Sequence, residues 1–314
     1  MSVKAIAIHS FYGLSKICSF DKIKQITTLP VIPMYHAVGE EKKPHFFQLP
    51  VFREVNQFKR DLEFLLKHYE PVAIDEIHQK EGKPKMHLTF DDGLKECYEV
   101  VYPILKGKGI PASFFINTDF LDNKNLFFRF KAALLADHVF KNKLNYPLQK
   151  LYQINYPEQN KLDELAHQFS FSFESYLQNN PVYLSAEELK KMHAEGFTIG
   201  GHSLNHPDYR FLDEKEQIRQ TQENIHELRV LLNDNRIQDF AFPFTDVGIK
   251  LNFWQQNNLR YTFGGSGLKT DDAPNHFHRI PFDINNQPAE KILRKEYVYF
   301  LLKKPFGKNR FKRF

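Results

Sequence analysis

Two adjacent carboxylates, Asp91 and Asp92, stand in T-F-D-D-G directly after the apolar run Met86–Phe90, and far along the chain His202 and His206 stand in H-S-x-x-H directly after F-T-I-G-G. Imidazoles four residues apart can face one divalent ion. In a chain with 14 histidines about 0.6 such pairs arise by chance, so the spacing alone carries little weight. Position adds to it: the pair follows a strand-like run and precedes Pro207, which puts it on a loop where imidazoles are not needed for packing. Asp92 offers a third ligand from the end of another run. Two histidines and one carboxylate leave a coordination position open, the pattern of a catalytic rather than a structural site. The neighbouring carboxylate can then serve as general base toward water, whose pKa a metal lowers from about 15.7 toward 7. D-D-G also has an ordinary reading as a tight turn with an N-capping Asp.

The elements that would position these residues alternate. V-I-P-M-Y (Val31–Tyr35) reads as a short buried strand ending at His36, and Val55–Tyr69 places Phe58, Leu62, Leu65 and Leu66 on one helical face before the strand-like P-V-A-I. M-H-L-T-F is a strand, D-D-G a break, Leu94–Lys106 a helix and Ala112–Ile116 a strand. Ser185, with Glu188 three residues on, opens a helix ending at Gly196. F-T-I-G-G, a helix over Asp213–Leu232, D-F-A-F-P-F, a helix near Val247–Asn257 and L-R-Y-T-F follow. At least five strand-helix alternations predict a mainly parallel α/β fold, open or closed into a barrel, with its chemistry at the C-terminal strand ends. That rule selects His36, Asp91, Asp92, His202, His206, Phe244, His278 and Arg279. From Asn117 to about Val182 the alternation blurs into an insertion whose one evident helix is L-F-F-R-F-K-A-A-L-L-A-D-H-V-F.

Composition sets further bounds. A hydrophobic fraction of 42% with 31 Phe and 14 Tyr describes a packed globular chain and excludes disorder over most of its length. Two cysteines, Cys18 and Cys97, are too few for a disulfide framework. The net charge of +5 is local: six of the 43 basic residues lie from Lys303 onward without an acid, and the other 37 face 38 acids. That argues against a nucleic-acid-binding face. No run approaches the ~18 apolar residues of a membrane span. Ala5–Ile8 is too short for a secretory core and Ile17 is not the small residue a lipoprotein site requires before Cys18, so the expected location is cytoplasmic. From Tyr297 to Phe314, aromatic residues interleave with the six bases. Such a tail suits an anionic membrane surface, each base contributing about 1 kcal/mol there.

Thr89-Phe90-Asp91-Asp92-Gly93 with His202-Ser203-x-x-His206 resembles the first two signature motifs of the polysaccharide deacetylases with the NodB homology domain, carbohydrate esterase family 4. Y-P-I-L-K-G-K-G-I-P-A-S-F-F-I is similar to the family's segment between those motifs, and the likeness spans roughly Pro30–Asp283 apart from the insertion. The resemblance implies a distorted barrel of about seven β/α units, here expected as one catalytic domain over 1–314. It implies a divalent metal, typically zinc, on Asp92, His202 and His206, with Asp91 as general base, and hydrolysis of an N-acetyl amide on a sugar. In the third motif the run Phe240-Ala241-Phe242-Pro243-Phe244 has Ala241 where many members carry a base-orienting Arg; Phe242, Pro243 and Phe244 would line the groove, with the Phe244 N–H at the oxyanion. Arg279 is a candidate to take the missing Arg's place on Asp91. The family's usual C-terminal acid His is absent. Met34-Tyr35-His36-Ala37-Val38 resembles the permuted branch acting on poly-N-acetylglucosamine, which makes His36 the general acid, with His276 and His278 in reserve.

With the tail, the resemblance suggests an N-acetylated, lipid-linked or membrane-proximal glycan as substrate for an enzyme peripheral to the inner membrane face. Two other readings stand beside it: a non-catalytic glycan-binding or membrane-associated module on the same fold, and a hydrolase of a small non-sugar amide.

Overall fold

The structure is a computed structural model that describes residues 18–256, 258–284 and 286–313. Its frame is a parallel sheet of eight short strands: β1 (Pro33–Tyr35), β2 (Leu88–Phe90), β3 (Ala112–Ile116), β4 (Thr198–Gly201), β5 (Asp239–Ala241), β6 (Tyr261–Gly264), β7 (His276–His278) and β8 (Ile280–Pro281). Their order is β7-β6-β5-β4-β3-β2-β1-β8. The two edge strands are consecutive in the chain and separated only by Arg279, so one extended segment pairs with β6 through its first half and with β1 through its second. Eight ladder strands are thus seven chain segments bent into a nearly closed barrel, as expected from the sequence.

Register decides what reaches the rim. Tyr35 pairs with Phe90, Phe90 with Phe114 and Ile116 with Gly201. The residues that follow these pairs, among them His36, Asp91 and His202, therefore emerge at one end of the barrel. Ile32, Phe115, Ala241 and Phe263 form a small apolar cluster with Val72, Ile74 and Ile77. They come from strands spaced around the ring and fill its interior, whereas Phe90 and Phe114 belong to the larger core packed under the helices. This alternation is the two-residue period of a strand covered on both faces.

The helix Val55–His68 buries Phe58, Leu62 and Leu65 as its spacing predicts. The Ser185 capping box is formed in both directions, Glu188 N–H to Ser185 Oγ and Ser185 N–H to Glu188 Oε2. Elsewhere propensity is overridden. P-V-A-I contributes only Pro71 to a ladder, Glu70–Pro71 beside Lys85–Met86, before a tight turn at Ile74–Glu76. The helix expected from Leu94 begins as a π-turn, Cys97–Val101, and becomes α-helical over Tyr102–Lys108. Pro103 in that run has no N–H to give, and the wider turn accommodates it. The insertion is more helical than its sequence suggests, with Leu148–Gln153, Asn160–Gln168 and Phe173–Asn179 following Phe128–Lys141.

The segment after Tyr297 is in part folded into the domain, although Lys304, Phe306, Lys308, Arg310 and Lys312 are exposed, and a membrane-facing tail is not supported. Tyr297, Val298 and Phe300 are buried in the helix Ala289–Lys303, and Arg310–Phe311 returns to pair with Thr270–Asp271. The Arg313 side chain is largely covered among ion pairs, and Leu301 and Phe306 are the exposed large apolar groups among the described residues of this segment. Phe314, Ala5–Ile8 and Ile17 lie outside the described residues. Among the described residues no helix is long and apolar enough to cross a membrane.

Candidate active site

Asp91 leaves β2 with its N–H bonded to Tyr35 O at 2.9 Å. The chain then turns through two left-handed residues, Asp92 at φ +71° and Gly93 at φ +62°. A side chain at 93 would lie 3.2 Å from Ile116, and a non-glycine residue in this conformation costs roughly 1 kcal/mol or more. The strained turn carries both carboxylates to the rim. Across from it, Gly200 lets β4 close up: a Cβ there would stand 2.6 Å from the Phe115 ring and 2.7 Å from Asp239 O. Ser203 at φ +71° and His206 at φ +57° reverse the loop that follows. His206 N–H donates to Ser203 Oγ at 3.0 Å, and Asn117 Nδ2 donates to the carbonyls of His202 and Ser203.

These turns gather Asp92, His202 and His206, all buried, so that one donor atom from each lies within 4.8 Å of the others. Asp92 Oδ1 is 3.4 Å from Nε2 of His202 and 3.3 Å from Nε2 of His206. Nδ1 of His202 is engaged by Ala241 O at 2.7 Å, which leaves Nε2 as the free ligand atom. Asp92 Oδ1 is buried with no hydrogen-bond partner. An orphaned carboxylate oxygen flanked by two imidazole nitrogens suits a divalent cation, and the residues present fit one. Burial opposes the charge on Asp92, but the two imidazoles outweigh it and hold its carboxyl well below the usual range. Burial pushes the His206 pKa down despite Asp92, which favours the neutral ring a metal requires.

Asp91 lies outside this triad, with its nearer oxygen 3.9 Å from His202 Nε2. Both of its oxygens accept from Arg279, Nη1 at 2.5 Å and Nη2 at 2.7 Å, in a buried fork. The guanidinium also lies over Phe115 and Phe263 inside the barrel. Burial would raise the Asp91 pKa, and Arg279 with His202 reverses that to a net lowering. Arg279 therefore stands on Asp91 from the far side of the ring, while position 241 holds a small residue of the interior cluster. His36 sits across the rim, its N–H donating to Asp283 Oδ2 at 2.6 Å and its Nδ1 3.0 Å from the same atom. Burial would lower its pKa, but the charge and hydrogen bond of Asp283, with Asp92 and Asp91 beyond, raise it to about 10.

Phe244 is 43% exposed at φ +55°, its ring 4.7 Å from that of His206. Phe242 and Pro243 are buried and do not line a groove. The Phe242 ring packs on Tyr209, Phe253 and Trp254, because the strand's alternation sends 242 outward under the helices. From the insertion, the buried rings of Phe127 and Phe128 pack behind the rim, Phe127 4.3 Å from the His206 ring and Phe128 6.1 Å from Phe244. His276 and His278 are not at the rim. They face the outer side of the wall with Asp246 and Asp271. Asp283 was not among the sequence candidates, although the rule that selected strand ends applies to it, two residues past β8.

The sequence profile of the family described as Polysaccharide deacetylase matches residues 78–263. No curated protein sequence matches the chain. Among solved structures the chain is similar to the Streptococcus pyogenes deacetylase PplD in complex with acetate, at 17% identity and a TM-score of 0.56 over 85% of this chain and 97% of that one. It is also similar to IcaB from Ammonifex degensii, at 15% identity and 0.54 over 85% and 96%. A third is the de-N-acetylase from Aggregatibacter actinomycetemcomitans, at 17% and 0.52 over 82% and 96%. At these identities the likeness speaks for the fold, while the profile, spanning T-F-D-D-G and H-S-x-x-H, speaks for the lineage. The chain belongs to the polysaccharide deacetylase family, hydrolases of the carbon–nitrogen bond of N-acetyl groups.

Proposed function

We propose that this protein removes N-acetyl groups from an amino sugar within a glycan by metal-assisted amide hydrolysis. The observation that carries the reading is the convergence at one rim of a three-residue metal cradle, a separate carboxylate clamped by Arg279, and a histidine clamped by Asp283. A divalent cation held by Asp92, His202 and His206, zinc being the choice that this ligand set favours, would supply Lewis acidity toward water and the amide carbonyl. Asp91 accepts the proton of the attacking water, and Arg279 keeps it anionic and oriented for that role. The Phe244 N–H donates to the oxyanion as the carbonyl becomes tetrahedral. His36 Nε2, left free because Nδ1 is turned to Asp283, gives its proton to the departing nitrogen. The resemblance of the His36 segment to the permuted poly-N-acetylglucosamine branch, together with the exposed Phe244 ring beside His206, supports an oligosaccharide rather than a small amide.

Metal content on the purified protein tests the cradle. The expected result is about one divalent ion per chain, lost in His206→Ala, with acetate release from N-acetylglucosamine oligomers abolished by chelation and restored by zinc. Full activity after complete metal removal would sink the reading, and activity confined to a monomeric non-sugar amide would move the substrate.

The His36 assignment makes a pH prediction. A raised pKa keeps the ring protonated through neutrality, so kcat should hold at neutral pH and fall as pH rises through a value between 6.5 and about 10. His36→Gln should lower kcat by about 10²–10³ and remove that alkaline limb. An unchanged limb in the variant would assign the acid to another group.

A further inference from the structure

Outside the active-site triad, a second group of ligand-type side chains lies on the other face of the wall that carries Arg279. Asp246, Asp271, His276 and His278 each offer an atom within 4.8 Å of the others. Along β7 the side chains alternate: Phe277 packs on Phe263 and Arg279 reaches Asp91, while His276 and His278 turn away from the interior. His276 Nδ1 is 2.8 Å from Thr262 Oγ1, which aims Nε2 at Asp246 Oδ2, 3.3 Å away. This is the device by which Ala241 O orients His202. Asp271 Oδ2 is 2.8 Å from His278 Nε2 and 4.0 Å from His276 Nε2, and His278 Nδ1 is 4.0 Å from Asp246 Oδ2. In a tetrahedral site with ligand bonds near 2.1 Å, neighbouring ligands are about 3.4 Å apart, and with Nε2 as the His278 donor the separations of 2.8, 3.3 and 4.0 Å bracket that value.

The cluster already contains a cation. Arg313 Nη2 bonds Asp246 Oδ2, reaches Asp271 Oδ2 at 2.8 Å and lies 3.2 Å from His276 Nε2, and its Nη1 donates to Asp246 O at 3.0 Å. The guanidinium stacks over Trp254 and Phe311. One guanidinium thus answers two carboxylates inside the cluster, with Lys269 as a further positive charge near both. Two buried atoms of these residues have no hydrogen-bond partner: His278 Nδ1, 4.0 Å from Asp246 Oδ2, and Asp246 Oδ1, which lies against Gly264.

We propose that Asp246, Asp271, His276 and His278 form a second divalent-cation site of the zinc type, whose place Arg313 takes in the observed state, so that guanidinium and metal compete for it. A dication balances two carboxylates where one guanidinium does not. Four protein donors leave no open position, so the site is of the closed, structural kind. The four ligand side chains are themselves shielded from solvent, and a cavity of about 800 Å³ lined in part by Asp271, His276 and His278 lies against the cluster. Asp246 lies two residues beyond Phe244 and His278 immediately precedes Arg279. Either cation therefore ties the loop bearing the oxyanion N–H to the strand that orients Asp91.

The test is zinc stoichiometry on the full chain in a His206→Ala background, which removes the active-site triad from the count whether or not that triad binds metal. Arg313→Met, which keeps much of the stem over Trp254, should add one zinc per chain and make the melting temperature zinc-dependent. Adding His278→Ala should remove that zinc again. If the Arg313→Met protein folds only with zinc supplied, the exchange is equally supported. An unchanged stoichiometry with no zinc effect on melting, or failure to fold even with zinc, overturns the proposal.

Discussion

Asp91→Asn should leave the metal in place and reduce kcat by about 10³ or more. Asp91 is not among the donor atoms of the triad, so losing its charge does not dismantle the cradle. The amide can still accept one Arg279 donor, while its NH₂ faces the second, and one of the two buried bonds at 2.5 and 2.7 Å is lost. A modest fall in stability, about 1–3 kcal/mol for a buried unsatisfied group, should accompany the kinetic loss. Metal content, melting temperature and kcat measured together separate these effects. Retention of wild-type kcat with metal bound would remove Asp91 from catalysis, and metal lost with activity would make it a ligand instead. A chain that bound glycan with equal affinity in both forms and released acetate in neither would be a binding module.

Arg279→Met should be as damaging for a different reason. Arg279 and Asp91 are both at most 2% exposed, and removing one partner leaves a carboxylate stranded in an apolar interior, a loss of about 3–5 kcal/mol. The Asp91 pKa, lowered by Arg279 against its burial, should then rise. Wild-type Asp91 contributes stability above its unfolded pKa and loses it as pH falls through the lower folded value. In the variant the stranded group is relieved by taking up a proton, so the stability gap between the two proteins should narrow toward acid pH. The same shift should move the acid limb of kcat upward. Arg279→Lys should recover part of the stability and less of the activity, since an ammonium cannot hold both oxygens in the guanidinium's planar fork. In a double-mutant cycle, Asp91→Asn should lessen the cost of Arg279→Met. A variant with unaltered melting and an unmoved acid limb would show that the pair does not set the base.

Much of the candidate site was readable from local sequence. T-F-D-D-G and H-S-x-x-H place their residues at strand ends because short apolar runs, glycine pairs and capping residues act over a few positions, and so the barrel, the cradle residues and the Ser185 cap were legible. Phe242 was misjudged by one step of alternation: in a strand with both faces covered, hydrophobicity does not say which face a ring takes. In the segment after Tyr297, composition cannot show that Arg313 meets carboxylates at positions 246 and 271.

What only the tertiary structure decided are the pairings that cross the ring. Arg279 finds Asp91 over 188 positions and Asp283 finds His36 over 247. Neither contact has a local signal, since each depends on bending seven segments until the last meets the first. The sequence by itself determined which groups could do chemistry and the element ends on which they stand. Closure of the barrel determined which of them share a site, because it places the first and last strands side by side and fixes the partner of each buried charge.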